Sequence, residues 1–222
     1  MIRVKDLHKV YGSIASGTHA LRGVNLWVKA GEFVAIMGRS GSGKSTLLHL
    51  LGLLDKPTMG QIFIDSRDAM ALSEEQRTSF RLRRLGYVFQ EYSLVSEMSI
   101  LENVYLPAVC LGRGGNYEKR ARGLLETVGL GHRLTHYPSE VSGGEQQRAA
   151  IARALMNEPA ILFADEPTAS LDAGSAKTVL ELFRKLNQQL KQTIVMVTHE
   201  PEDGKFVDRI IRLEDGLVSE GA

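Results

Sequence analysis

Cysteine, net charge and long apolar runs are what this 222-residue sequence has least of, and each shortage narrows the reading. A single cysteine, Cys110, rules out an intrachain disulfide and any multi-cysteine metal site, which suits a reducing compartment. Lys and Arg number 27 against 26 Asp and Glu, a formal charge of +1, so no global field recruits nucleic acid or anionic lipid. No stretch approaches the ~18 apolar residues of a membrane span. The greasiest segment, Leu47 to Leu54, is interrupted by His49 and Gly52. The N-terminus, Met1-Ile2-Arg3-Val4-Lys5-Asp6, alternates apolar and charged residues and lacks the apolar core of a signal peptide. Any work at a membrane is therefore expected to run through a partner.

What is present is a globular balance, 43% hydrophobic and 24% charged, enough for one domain with a modest inserted unit. Ile2-Arg3-Val4 and Leu21 to Val28 alternate like half-exposed strands, with turn signals at Gly12, Gly17 and Gly31. Phe33 to Met37 is a continuous apolar run, followed by a Gly/Ser-rich loop and a helical stretch from Ser45 to Leu54. Strand, glycine loop, helix opens an α/β nucleotide-binding domain. Gln61 to Asp65 predicts a strand, Glu74 to Arg84 a basic surface helix, and Tyr87 to Phe89 a short buried strand ending at Gln90.

From Glu91 to about Glu140 the character changes. Glycines gather at Gly112, Gly114 and Gly115, between helical patterns at Ile100 to Val109 and Glu118 to Val128, which predicts an α-helical insertion. Helices at Glu145 to Leu155 and Ala176 to Leu190 then alternate with apolar strands at Ala160 to Ala164 and Thr193 to Val197. Ile210 to Leu213 and Leu217-Val218 predict a closing hairpin around Asp215-Gly216. The class is α/β.

Gly38-Arg39-Ser40-Gly41-Ser42-Gly43-Lys44-Ser45 fits G-x-x-x-x-G-K-[ST] in full. Phosphate oxygens need many donors at close range, so glycines let the backbone wrap the anion while the following helix presents its positive end. Lys44 should reach the β- and γ-phosphates, and Ser45 should ligate Mg²⁺, with Thr46 beside it. Ala160 to Ala164 ends in Asp165 and Glu166. Apolar strands often end in acids, but beside a phosphate loop Asp165 suits Mg²⁺ and Glu166 suits a general base for the attacking water. Ser142, Gly143 and Gly144 open a predicted helix, either as an N-cap with a glycine hinge or as a second anion site. The basic run Arg77, Arg81, Arg83, Arg84 lacks the interleaved aromatics of a stacking platform, and a solvated helix face is its expected role.

With Val141-Ser142-Gly143-Gly144-Glu145 the chain resembles the ATP-binding-cassette family, whose signature is L-S-G-G-Q. Val141 and Glu145 depart from it. The resemblance covers essentially the whole chain, with its motifs in order. It implies that Tyr11 stacks on adenine, that Gln90 looks toward Mg²⁺ and the attacking water, and that His199 contacts the γ-phosphate. Ser170-Leu171-Asp172 resembles the D-loop, and Asp172 carries over better than Ser170, which stands where Ala is usual. Individually each has a bland alternative in packing or solvation; their order and spacing favour the functional one. Leu54-Asp55-Lys56-Pro57-Thr58 and Ile100-Leu101-Glu102-Asn103-Val104 are similar to ATPase subunits of lipoprotein-release and macrolide-export systems, and of the related cell-division ATPase.

The resemblance implies a P-loop NTPase (RecA-like) core with an antiparallel β subdomain, residues 1–90 and 141–222. The inserted α-helical subdomain would be residues 91–140, all within one cassette, 1–222. It also implies a head-to-tail dimer around two ATP with Mg²⁺, a separate integral-membrane permease, peripheral placement at the cytoplasmic face, and no nucleic acid. A soluble cassette ATPase of nucleic-acid repair or translation shares this chemistry, as does a binding module without turnover. Glu166 and His199 argue against the latter. Cargo and direction of transport are not written in the chain.

Overall fold

The computed structural model describes residues 1–13, 17–112 and 116–219; Gly114 and Gly115 of the glycine cluster lie outside them. Among the described residues the strands form two sheets. The antiparallel one holds β1 (Ile2–Tyr11), β2 (Thr18–Val28), β4 (Met59–Ile64) and β5 (Arg67–Asp68), in the order β2-β1-β4-β5. The other holds β3 (Phe33–Met37), β6 (Leu85–Val88), β7 (Ile161–Asp165), β8 (Thr193–Thr198), β9 (Arg209–Glu214) and β10 (Leu217–Ser219), in the order β10-β9-β3-β8-β7-β6. All its neighbours are parallel except β10, which hairpins back onto β9. That hairpin turns on Asp215 and Gly216, both at positive φ (47° and 78°), the backbone a two-residue turn of this hand requires.

The continuous apolar runs arise because this sheet is covered on both faces. In β3, Phe33 and Ala35 face a layer built from α3 (Ile100–Cys110), α4 (Tyr117–Thr127), α5 (Gly143–Leu155) and α6 (Ala173–Leu190). Val34 and Ile36 face the opposite way, onto α1 (Lys44–Leu51) and the inner side of the antiparallel sheet. The hydrophobic core is thus two layers split by one sheet. No described helix is long and apolar enough to cross a membrane.

Several boundaries differ from the sequence reading for identifiable reasons. The first strand runs on past Val4 to Tyr11 through register shifts around Asp6, whose φ is 45°. Helix α1 stops three residues before Leu54. Gly52 caps it, and a Cβ there would come within 2.6 Å of the Tyr87 ring. Tyr87 donates its hydroxyl proton to Gly52 O, and burial raises its pKa. The strand around Tyr87 is Leu85–Val88, so Phe89 leaves the ladder and stacks on Tyr87 at 6.0 Å between centroids.

The basic helix α2 (Glu74–Arg84) is not simply a solvated face. Arg77 is 2% exposed and donates to Asp55 O at 2.8 Å, while Arg81 donates to Leu53 O at 2.9 Å. The loop after α1 turns at Leu53 (φ 60°), so its carbonyls need donors, and two arginines one helical turn apart supply them. At the seam of the two sheets Trp27 is 49% exposed, with the Lys29 ammonium 4.9 Å and the Arg209 guanidinium 4.6 Å from its ring centroid. Arg209 also donates to Trp27 O and pairs with Glu32 at 2.8 Å.

Arg77→Ala should lower the free energy of unfolding in urea by about 2–3 kcal/mol, because it strips a buried charged donor from loop carbonyls. Arg83→Ala, at the exposed end of α2, should change it by less than about 0.5 kcal/mol.

Candidate functional site: a phosphate loop, two strand-end carboxylates and two capped helices

The loop from Gly38 to Gly43 joins β3 to α1, so its residues sit at the carboxyl edge of the parallel sheet, where α/β folds place ligands. Gly38 cannot carry a side chain: a Cβ would fall 2.1 Å from Leu213 O. Gly43, at φ 101°, is the cap of α1, and a Cβ there would meet Ala20 O at 2.4 Å. Ser40 and Gly41 are exposed, with open space around Gly41, while Ser42 is buried and its Oγ has no hydrogen-bond partner among the described residues. Lys44 is 5% exposed, and its ammonium donates to Arg39 O at 3.0 Å across the loop. Thr46 is half-buried in the first turn of α1.

Ser45 Oγ donates to Asp165 Oδ1 at 3.0 Å, which ties this turn to the end of β7. The other carboxylate oxygen lies 3.5 Å from His49 Nε2, whose pKa is raised chiefly by its hydrogen bond to Asp165. Glu166 follows at φ 43°, a left-handed conformation unusual for a side chain with a Cβ, and its N–H donates to Val197 O at 2.9 Å. Its carboxylate lies 3.2 Å from His199 Nδ1, beyond β8. Val88 pairs with Ala164, and Gln90, two residues past the end of that strand, is exposed.

The remaining motif residues make their described hydrogen bonds elsewhere. Ser142 caps α5 through a capping box: Ser142 Oγ accepts from Glu145 N, and Glu145 Oε2 accepts from Ser142 N at 2.8 Å. Arg133 adds an ion pair to Glu145 at 3.0 Å. The Ser142 backbone bond, then Arg133 and the Ser142 hydroxyl, hold the Glu145 pKa down at about 2 against the desolvation that opposes them. Gly143 and Gly144 are forced small, since a Cβ would lie 2.7 Å from Tyr92 Oη and from Ser175 Oγ respectively. Asp172 caps α6, accepting from Gly174 N and Ser175 N at 3.0 Å each. No described hydrogen bond or ion pair links Ser142, Gly143, Gly144 or Asp172 to residues 38–46. Tyr11 is 46% exposed, its hydroxyl donates to Asp55 Oδ2 at 3.2 Å, and the Lys9 ammonium lies 4.8 Å from its ring centroid.

The ABC transporter family profile matches residues 21–169, about two thirds of the chain. The chain belongs to the ABC transporter family. As an ABC ATPase it is 49% identical, over 99% of its length and 98% of the relative's, to the ABC transporter ATP-binding protein MJ1508 of Methanocaldococcus jannaschii. It is 46% identical to the lipoprotein-releasing system ATP-binding protein LolD of Aquifex aeolicus, over 98% of this chain and 96% of that one. The macrolide export ATP-binding/permease protein MacB of Chlorobium luteolum is 48% identical over 98% of this chain, which spans only 33% of that protein. Among solved structures, the dimeric post-hydrolysis state of the cassette MJ0796 bound to ADP and Pi superposes with a TM-score of 0.91 at 42% identity, covering 99% of this chain and 97% of that one. This ABC cassette therefore has the fold of an ATP-binding and ATP-hydrolysing subunit, with relatives of the LolD and MacB type.

Sequence reasoning missed His49, Gln147 and Asp203. His49 registered only as a break in an apolar run. Gln147 is fully buried on the inner face of α5 and donates to Pro167 O at 2.7 Å; a polar residue in phase with Ala150 and Ile151 was its only signal.

Because Glu145 has a depressed folded-state pKa, its stabilising contribution is full above its ordinary value of 4.5 and is lost as pH falls toward about 2. The stability difference between wild type and Glu145→Gln, measured by chemical denaturation, should be constant from pH 7 to 5 and shrink between pH 4.5 and 2.5 or so.

Proposed function

We propose that this ABC ATPase is the motor subunit of a membrane transporter, closing head-to-tail with a second copy around two ATP molecules. The observation that carries this reading is the division of the motif residues into two sets within one chain. Lys44, Ser45, Asp165, Glu166 and His199 are gathered at one sheet edge, whereas Ser142, Gly143 and Gly144 make no described bond to the phosphate loop. An isologous pairing lets each copy complete the other's site.

In this reading the loop N–H groups and Lys44 bind the β- and γ-phosphates, which take over from Arg39 O as the ammonium's acceptor. Tyr11 offers its ring to the adenine, and Ser142, Gly143, Gly144 and Asp172 of the opposite copy close the site. The donor set fits Mg²⁺: Ser45 Oγ and Asp165 Oδ1 are hard oxygens 3.0 Å apart beside the phosphate loop, and Mg²⁺ takes few protein ligands alongside substrate phosphates. Bound there, it would supply positive charge against the phosphates. Gln90 would also help hold it, and orients the attacking water. Glu166 takes the proton as water attacks the γ-phosphorus and the bond to the β-phosphate oxygen breaks, releasing ADP. His199, 3.2 Å from Glu166, holds that carboxylate in place and contacts the γ-phosphate.

Residues 91–140 serve as the helical unit in this scheme, and residues 1–90 and 141–222 as the ATP-binding core. A largely apolar groove of about 490 Å³ between them, lined by Leu54, Arg81, Tyr87, Phe89, Pro107 and Cys110, suits a helical segment of the permease. The chain would then sit peripherally on the cytoplasmic face of the membrane. Relatives named for lipoprotein release and macrolide export support an export or release system over a soluble ATPase acting on nucleic acid or the ribosome.

The deciding experiment is affinity purification of tagged Glu166→Gln protein from detergent-solubilised cells with ATP and Mg²⁺. A stoichiometric multi-span membrane protein supports the transporter reading; soluble factors or ribosomes alone overturn it. In vitro the same variant should hydrolyse ATP at least ~100-fold more slowly, since it lacks the base, and should elute as a dimer when ATP is present. Turnover at the wild-type rate would remove Glu166 from that role. Ser142→Arg should abolish the dimer while the monomer keeps its nucleotide affinity; lost affinity would count against a site shared between copies.

A further inference from the structure

Glu166 and His199 lie on different loops, one leaving β7 and the other leaving β8. Each functional residue has a threonine close by: Thr168, two beyond Glu166, and Thr198, the last residue of β8 and one before His199. Both threonines are buried, at 6% and 2% exposure, so their hydroxyls need partners inside the protein. The same atom serves both. Asp203 Oδ2 accepts from Thr198 Oγ1 at 2.7 Å and from Thr168 Oγ1 at 3.2 Å, and Asp203 itself is 4% exposed.

We infer that Asp203 is a positioning residue for ATP hydrolysis, a buried acceptor that clamps the Glu166 loop to the His199 loop. It acts through the two threonines. The clamp has something to hold. Glu166 sits at φ 43°, and a strained residue keeps one geometry only when its surroundings over-determine it. Its N–H is fixed to Val197 O, and the turn after it closes through Ala169 N to Glu166 O and Leu171 N to Thr168 O. Gln147 pins Pro167 O from the far side. At the end of β8, Thr198 Oγ1 also accepts from Glu200 N at 3.0 Å, so one hydroxyl both receives from the turn carrying His199 and donates to Asp203.

Asp203 has no ion pair among the described residues, so its carboxylate is costly to bury, and burial raises its pKa. Two hydroxyl donors converging on one oxygen give that carboxylate a geometric use. Because both bonds end on Oδ2, the role is acceptance in a fixed place rather than charge, and an asparagine carbonyl in the same position can perform it.

This inference rests on the catalytic reading of Glu166 and His199, and the experiment separates the two. Steady-state ATP hydrolysis by the full chain would be measured for wild type, Glu166→Gln, Asp203→Ala, Asp203→Asn, Thr168→Val and Thr168→Val/Asp203→Ala. Asp203→Ala should lose kcat by about tenfold with KM for ATP within about twofold; a 1 Å misplacement can cost up to ~100-fold. Asp203→Asn should recover most of that loss, which general destabilisation of the fold by a missing acid would not allow. Thr168→Val, close in shape, should lose about two- to threefold, and adding it to Asp203→Ala should cost nothing more, as expected for partners in one hydrogen bond. A full rate in Asp203→Ala, an Asp203→Asn variant no faster than Asp203→Ala, or additive losses in the double variant would overturn the clamp. If Asp203→Ala does not fold, a wild-type rate in Thr168→Val overturns it instead. Turnover in Glu166→Gln would sink the catalytic reading itself; a dead Glu166→Gln beside a fully active Asp203→Ala would sink only the clamp.

Discussion

Strand β8 is hydrogen-bonded on both sides, to β3 and to β7, and the register of those two ladders fixes where every reactive group can stand. Met37 pairs with Thr198 and Asp165 with Val197, so the phosphate loop, the strand-end carboxylates and His199 all emerge within a residue of the same level. All six residues of β8 are buried, which makes this register expensive to change: a slip of one residue would turn Ile194 and Met196 toward the wrong core layer and carry His199 away from Glu166. The remaining contacts of the site, Ser45 to Asp165 and His199 to Glu166, are short links across a frame that apolar packing has already set.

The parts of this arrangement that could be read in the chain are those whose chemistry forces a local pattern. A phosphate loop requires glycines at backbone positions a Cβ cannot occupy, and Gly38 and Gly43 are such positions. Buried parallel strands require unbroken apolar runs, and β3, β7 and β8 emerged close to their observed limits. Illegible were the residues whose partners lie far along the chain. Asp203 meets Thr168 from 35 residues away, and Arg77 grips carbonyls from 22 residues back. Nothing in the local sequence of α2 separates an arginine that enters the structure from one that stays in water, and the run from Arg77 to Arg84 contains both kinds. Helix ends were displaced for a similar reason: α1 stops where Tyr87, a residue of another strand, docks on Gly52.

The signature segment shows how a departure from a family pattern can be compensated in place. Glu145 stands where a glutamine is usual, and it brings a negative charge that a glutamine does not carry. Here its charge is engaged in three directions, by the Ser142 N–H, the Ser142 hydroxyl and Arg133, the last contributed by the segment between α4 and α5. The capping box therefore sets the rotamer of Ser142 before any nucleotide arrives, and the arginine ties the start of α5 to the helical layer around it. What the substitution loses in neutrality it regains in rigidity.

The seam between the two sheets has an optical consequence. Trp27 is the chain's lone tryptophan and lies beneath the charged ends of Lys29 and Arg209. One of those cations, Arg209, comes from the other sheet, so separating the two sheets would change the surroundings of the indole and with them its emission. The molecule therefore carries an intrinsic fluorophore at this junction, with no second indole elsewhere in the chain to blur the signal.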